Sequence, residues 1–145
     1  MQFSDIEKKD LLKGWIGISL AFAILLTKSS GFASFLSSLL MSMFTVGLGF
    51  LLHELGHKYL AQKYNCWAEF RSFDFMILLA ILMSFFGFIF AAPGAVMIHG
   101  NLTKNKYGKI SAMGPVINIM LALVFLGLYY SGFFKSLALN GFYIN

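Results

Sequence analysis

The sequence predicts an all-α membrane protein, a polytopic bundle of transmembrane helices with one short re-entrant β-hairpin. Three observations predict it. The 145 residues are 59% hydrophobic and 12% charged, where a soluble domain carries about 25% charge, and mean hydropathy is +0.77. Apolar runs near the length of a bilayer core recur along the chain. Pro93-Gly94, a turn dipeptide, lies between short stretches rich in β-branched and aromatic residues. The length predicts a single integral-membrane domain over residues 1–145.

Taken in order, Met1 to Lys13 is polar and mixed in charge and reads as an amphipathic or frayed lead-in with a solvated charged face. Leu11 to Thr27 is the first span. It is short for a core of about 30 Å, and Lys13 and Lys28 at its ends can snorkel. Ser29-Ser30-Gly31 reads as a turn. Phe32 to Gln62 is the second span, with Ser37, Ser38 and Ser42 at helix-packing spacings. Tyr64 to Asp74 reads as a polar connection whose Trp67, Phe70 and Phe73 suit an interfacial belt. Phe75 to Ala92 is apolar and runs into the Pro-Gly turn, with Phe88-Ile89-Phe90 and Val96-Met97-Ile98 as the expected strands. Ile110 to Ser131 is the last complete span, with Gly114-Pro115 in its first turns and Asn118 as an isolated polar side chain. Gly132 to Asn145 reads as a turn and the first residues of a further span.

Charge placement sets the expected topology. If Phe75–Ala92 returns to the side it left, Lys8, Lys9, Lys13, Lys58, Lys63, Arg71, Lys104, Lys106 and Lys109 share one side, opposite Lys28 and Lys135. If it crosses, Lys104, Lys106 and Lys109 change sides and the bias weakens. The positive-inside rule therefore favours a re-entrant segment and a cytoplasmic N-terminus. The net charge of +5 serves orientation here. No basic stripe of the kind nucleic acid requires is present. The single cysteine, Cys66, permits no intrachain disulfide and reads as inert packing. The charged N-terminus, without a small-residue cleavage site, leads to the expectation of no removable signal peptide.

One stretch carries chemistry. Leu52-His53-Glu54-Leu55-Gly56-His57 ends the second span and contains H-E-x-x-H. Helical positions four apart differ by about 40° of rotation and about 6 Å of rise. His53 and His57 thus project from one face, where two neutral imidazoles suit Zn²⁺, leaving one further protein ligand and a water for a catalytic site. Glu54 stands where a carboxylate can accept a proton from that water. Ionisable groups near a bilayer centre cost about 2.5–3.5 kcal/mol each and by default mark function. Gly49, one turn earlier, leaves room for close approach on the same face. His53 lies about 30 Å along the helix from Phe32, which puts the motif near the cytoplasmic interface, within reach of water.

Three motifs together resemble the site-2 protease family of intramembrane zinc metalloproteases. They are Leu52–His57, Phe88-Ile89-Phe90-Ala91-Ala92-Pro93-Gly94-Ala95-Val96, and Gly108-Lys109-Ile110-Ser111-Ala112-Met113-Gly114-Pro115-Val116-Ile117-Asn118. Their order and spacing agree over roughly residues 32 to 130. The resemblance implies proteolysis of membrane-embedded helical substrates, with His53 and His57 as zinc ligands and Glu54 as general base. It implies that Asn118 stabilises the transition state or the substrate, and that the hairpin around Pro93 and Gly94 aligns substrate as an added strand. A helical substrate must open before its peptide bonds are reachable, and a sheet edge can hold it open. The expected partners are a transmembrane protein substrate and membrane lipid, with no nucleic acid.

The chain departs from the family at the third zinc ligand, an Asp in a later D-G motif. The carboxylates outside the motif are Asp5, Glu7, Asp10, Glu69 and Asp74, none followed by Gly. The expectation is therefore a ligand beyond Asn145, and a 145-residue chain that binds zinc weakly and cleaves little by itself. Asp74, Glu69 and His99 are the candidates for a ligand within the chain. His99 otherwise reads as a solvated interfacial residue. The competing function is a non-catalytic membrane module that binds metal or transmembrane helices. A transporter would require a chain of intramembrane carboxylates, and none is evident.

Overall fold

The computed structural model describes residues 1–90, 92–132 and 135–144. Ala91 and Asn145, which figure in the motif and end-of-chain expectations above, lie outside the described residues. Helix α1, Asp5–Ser30, begins earlier than the apolar pattern suggests. Ser4 caps it, accepting a 3.1 Å hydrogen bond from the Glu7 amide. Ser4-x-x-Glu7 is the spacing of a capping box. The Glu7 carboxylate turns inward instead of returning to the cap, and both Glu7 and Asp10 are buried. The expectation of a solvated charged lead-in is therefore wrong for these two residues, because they meet partners that lie far along the chain.

A short 3₁₀ turn, Phe32–Ser34, leads into α2, Phe35–Ser42. A π-turn, Met43–Gly47, joins α2 to α3, Leu48–Lys63. The widened turn loosens the regular i→i−4 ladder, and Trp15 of α1 donates its indole N–H to the Met43 carbonyl at 3.2 Å. Gly47 makes that approach possible, since a Cβ there would overlap Trp15 and Ser19.

Strand β1, Trp67–Ser72, pairs antiparallel with β2, Gly94–His99, in the register Phe70 opposite Val96 and Ser72 opposite Gly94. This corrects the expected hairpin. Phe88-Ile89-Phe90 is not a strand, and the partner of Val96–Ile98 is the stretch read as a polar connection. Between the strands lies α4, Asp74–Phe85. It spans about 18 Å, well short of a bilayer core. Because Ser72 pairs with Gly94, the excursion through α4 starts and ends at the same end of the sheet. It closes through Gly87 at φ +94°, a value that favours glycine, and Lys28 donates to the Phe85 carbonyl at its far end at 3.1 Å.

Helix α5, Lys104–Tyr130, packs along α3, and α6, Lys135–Ile144, turns back against α5. Gly56 on α3 meets Ile117 on α5 so closely that a Cβ would overlap that side chain. A small core of Ala61, Cys66, Ala68 and Ile110 sits where α3, β1 and α5 converge. Among the described residues, three helices are long and apolar enough to cross a membrane: Asp5–Lys28, Phe35–Lys63 and Lys104–Tyr130. Phe75, Leu78 and Leu82 on α4 and Ile119, Met120 and Leu123 on α5 point outward, as lipid-facing surfaces do.

Candidate metal centre

Helix α3 places His53 and His57 one turn apart on the face that meets α5. Their rings lie edge to face, with centroids 4.8 Å apart. His57 Nδ1 lies 2.7 Å from the Ile110 carbonyl. A carbonyl only accepts, so this contact assigns the proton to Nδ1 and leaves the Nε2 lone pair free, the arrangement that metal-ligating histidines use. Pro115 disrupts the backbone ladder in this part of α5.

Both Nε2 atoms converge on Gly114 of α5. A Cβ at Gly114 would overlap both of them. Gly49, where close approach is expected, is buried on α3, and Gly114 on the partner helix leaves a space in front of two imidazole lone pairs. The chemistry of the donors and this missing Cβ both fit a zinc ion.

Glu54 is half-buried, and its carboxyl faces the backbone N–H of Val96 in β2. Asn118, one turn after Gly114 on α5, lies near His53. Its Oδ1 is buried without a hydrogen-bond partner. The fold thus brings His53, Glu54, His57 and Asn118 into one place. Pro93 and Gly94 stand apart, at the start of β2 and not at a hairpin tip. The Pro93 carbonyl accepts from Phe73 at 2.9 Å, and Gly94 lies where a Cβ would strike the Phe70 ring.

The ladder shows which strand edge faces the site. The Phe70 amide donates to Glu7 at 2.9 Å, away from β2. In an antiparallel ladder, pairs that do not exchange hydrogen bonds turn both N–H groups outward. Val96 opposes Phe70, so its N–H points to the free edge of β2. Gly94 and Ile98 share that orientation by the two-residue period.

The in-chain candidates for a third ligand are engaged elsewhere. Glu69 bonds Ser4 and pairs with Arg71 at 2.8 Å. Hydrogen bonds from Lys13 and Ser72 hold the Asp74 carboxyl below its ordinary range, with Lys13 at 3.2 Å. His99 is exposed and meets Trp67 edge to face, with centroids 5.1 Å apart. Among the described residues, no three His, Cys, Asp or Glu side chains are grouped to hold a metal.

Among proteins of known annotation, the chain is 47% identical over 88 residues to the Methanocaldococcus jannaschii protein named "Putative zinc metalloprotease MJ0611". The match covers 59% of this chain and 46% of that protein, so the chain spans about half the length of the relative it matches. No protein-family model matches the chain, and no solved structure does.

Proposed function

We propose that this chain carries the catalytic core of a zinc metalloendopeptidase of the site-2 protease type, acting on membrane-embedded substrates. The observation that carries the reading is the pair of Nε2 atoms converging in front of Gly114, with Glu54 beside them. The name of the M. jannaschii relative supports zinc and proteolysis. The three long apolar helices support a membrane setting. His53 and His57 would hold the metal, and zinc bound there would acidify water and polarise a carbonyl. A further donor from outside the described residues would complete the ligand set. Glu54 takes the proton from the attacking water at a carboxylate oxygen and passes it to the departing amine. The Asn118 amide supplies a polar group beside His53 for the substrate or the developing oxyanion.

The substrate binds as a strand on the free edge of β2. Gly94, Val96 and Ile98 offer it N–H and C=O groups, and Val96 N–H is the donor next to Glu54. Proline has no N–H. Because the Val96 N–H faces away from β1, Val96→Pro should leave the ladder intact. The expected result is a cleavage rate reduced by about 10- to 100-fold, of the size of one or two lost hydrogen bonds, with zinc content unchanged. The check is zinc analysis and substrate cleavage on the same preparation. Cleavage at the parent rate would remove strand addition at this edge.

The excursion through α4 is read as re-entrant, with the N-terminus and the metal end cytoplasmic. Cysteines placed at Lys28 and Lys106 in a Cys66→Ser background should react with impermeant reagents from opposite sides of the membrane. Reaction from the same side would contradict the topology.

A further inference from the structure

The buried ion pair of Glu7 and Lys58 has no part in the chemistry above, yet it is tied to β1 and to the helix that carries Glu54. Lys58 and Glu7 are 1% and 0% exposed, and Lys58 Nζ stands 2.5 Å from Glu7 Oε2. The Phe3 ring covers the ammonium at 4.4 Å. The other oxygen of the same carboxylate accepts the Phe70 amide at 2.9 Å. Removing two charges from water is expensive, and such a pair is weak evidence for stability as such. Its geometry gives it another use.

Lys58 lies four residues after Glu54, on the same face of α3. Lys58, through Glu7, holds the Phe70 amide, and the Glu54 carboxyl faces the Val96 backbone. Val96 and Phe70 are directly opposite each other in the ladder. The contacts therefore run as a chain from the helix of the candidate metal centre to the strand pair: Lys58, Glu7, Phe70 and, across the ladder, Val96. The β1 edge of this cross-strand pair is pinned to α3 through Glu7 and Lys58, while its β2 edge faces Glu54, one helical turn away.

We propose that Glu7 and Lys58 are positioning residues that fix the height of the two-stranded sheet against α3, and so select which peptide bond of a docked strand meets Glu54. This rests on the proteolytic reading above. Neither residue touches substrate or metal. They act through Phe70 and the strand pair. Carbonyls pointing the same way along a strand recur every second residue, so a sheet free to slide exposes alternative bonds two residues away.

The test uses the full chain in detergent or lipid, as Lys58→Met, Glu7→Gln and the double variant. The singles leave one buried charge or dipole without its partner. The double removes both charges and keeps a Gln carbonyl for Phe70, so it folds even where a single does not. Two measurements are made on each: amide exchange over residues 69–71 and 95–97, and the position of cleavage in a model transmembrane substrate by mass spectrometry. The proposal expects faster exchange in both windows in Lys58→Met. It expects products displaced by two residues in all three variants, with kcat lowered on the order of 10²-fold, as for a misplacement near 1 Å, and KM little changed. Unaltered exchange in Lys58→Met would overturn the proposal. A double variant that cuts only the parent bond at the parent rate would overturn it too, leaving the pair a purely structural one. If a chain extended to supply the further metal ligand and loaded with zinc cuts nothing, the proteolytic reading fails, while the exchange result still decides whether the pair pins the sheet.

Discussion

Gly114→Ala is expected to abolish zinc binding. Alanine is the better helix former by about 1 kcal/mol, so α5 gains intrinsic stability from the change. The added methyl would nevertheless overlap Nε2 of both His53 and His57. Either α5 moves away from α3, or the imidazoles rotate out of their converging arrangement. Rotation would also cost His57 its bond to the Ile110 carbonyl. Losing an outer-shell partner alone lowers metal affinity about 10- to 100-fold, and occluding the lone pairs costs more. Zinc content measured after identical purification should fall from that of the parent to background, with helicity unchanged. Stoichiometric zinc in Gly114→Ala would mean that the metal, if any, sits elsewhere. A loss of zinc accompanied by a loss of helicity would point to misfolding, which the propensity argument does not predict.

How much of this was legible in the chain depends on whether a feature is local. His53, Glu54 and His57 lie within one helical turn and a half, so a 3.6-residue period suffices to place them on one face. The three long apolar helices are likewise local sums of hydropathy. The β1 strand is a different matter. Trp67–Ser72 contains Glu69 and Arg71, which look solvated, and its partner lies more than twenty residues on, beyond α4. Only the fold supplies Ser4 and Glu7 to satisfy it. The Pro93-Gly94 turn signal was real punctuation with the wrong consequence. It marks where β2 begins, and Gly94 is needed because Phe70 crowds it.

The burial of Glu7 was missed because its partners, Lys58 and the Phe70 amide, lie 51 and 63 residues away. Ser4-x-x-Glu7 did signal an earlier helix start through its capping-box spacing, and would have moved the first helix back from Leu11 to Asp5. The π-turn at Met43–Gly47 has no signature in its residues. Its Met43 carbonyl accepts the Leu48 amide and, from another helix, the Trp15 indole N–H. The role of Gly114 was half visible: a glycine next to proline in an apolar helix marks close approach, but which side chains approach is a tertiary fact.

Glu54→Gln tests the central claim most directly. The change keeps the shape of the side chain and leaves His53, His57 and the space before Gly114 untouched. It removes the carboxylate proposed to accept the proton. General-base catalysis of this kind contributes about 10²–10⁴-fold, so cleavage should drop by that factor while zinc content stays at the parent level. The measurement is zinc per chain and turnover of a transmembrane substrate, taken together on the parent and on Glu54→Gln in the same lipid. Zinc retained and cleavage lost is the predicted result. Zinc retained with undiminished cleavage would contradict the assignment of Glu54 as the base, and with it the mechanism built on this helix.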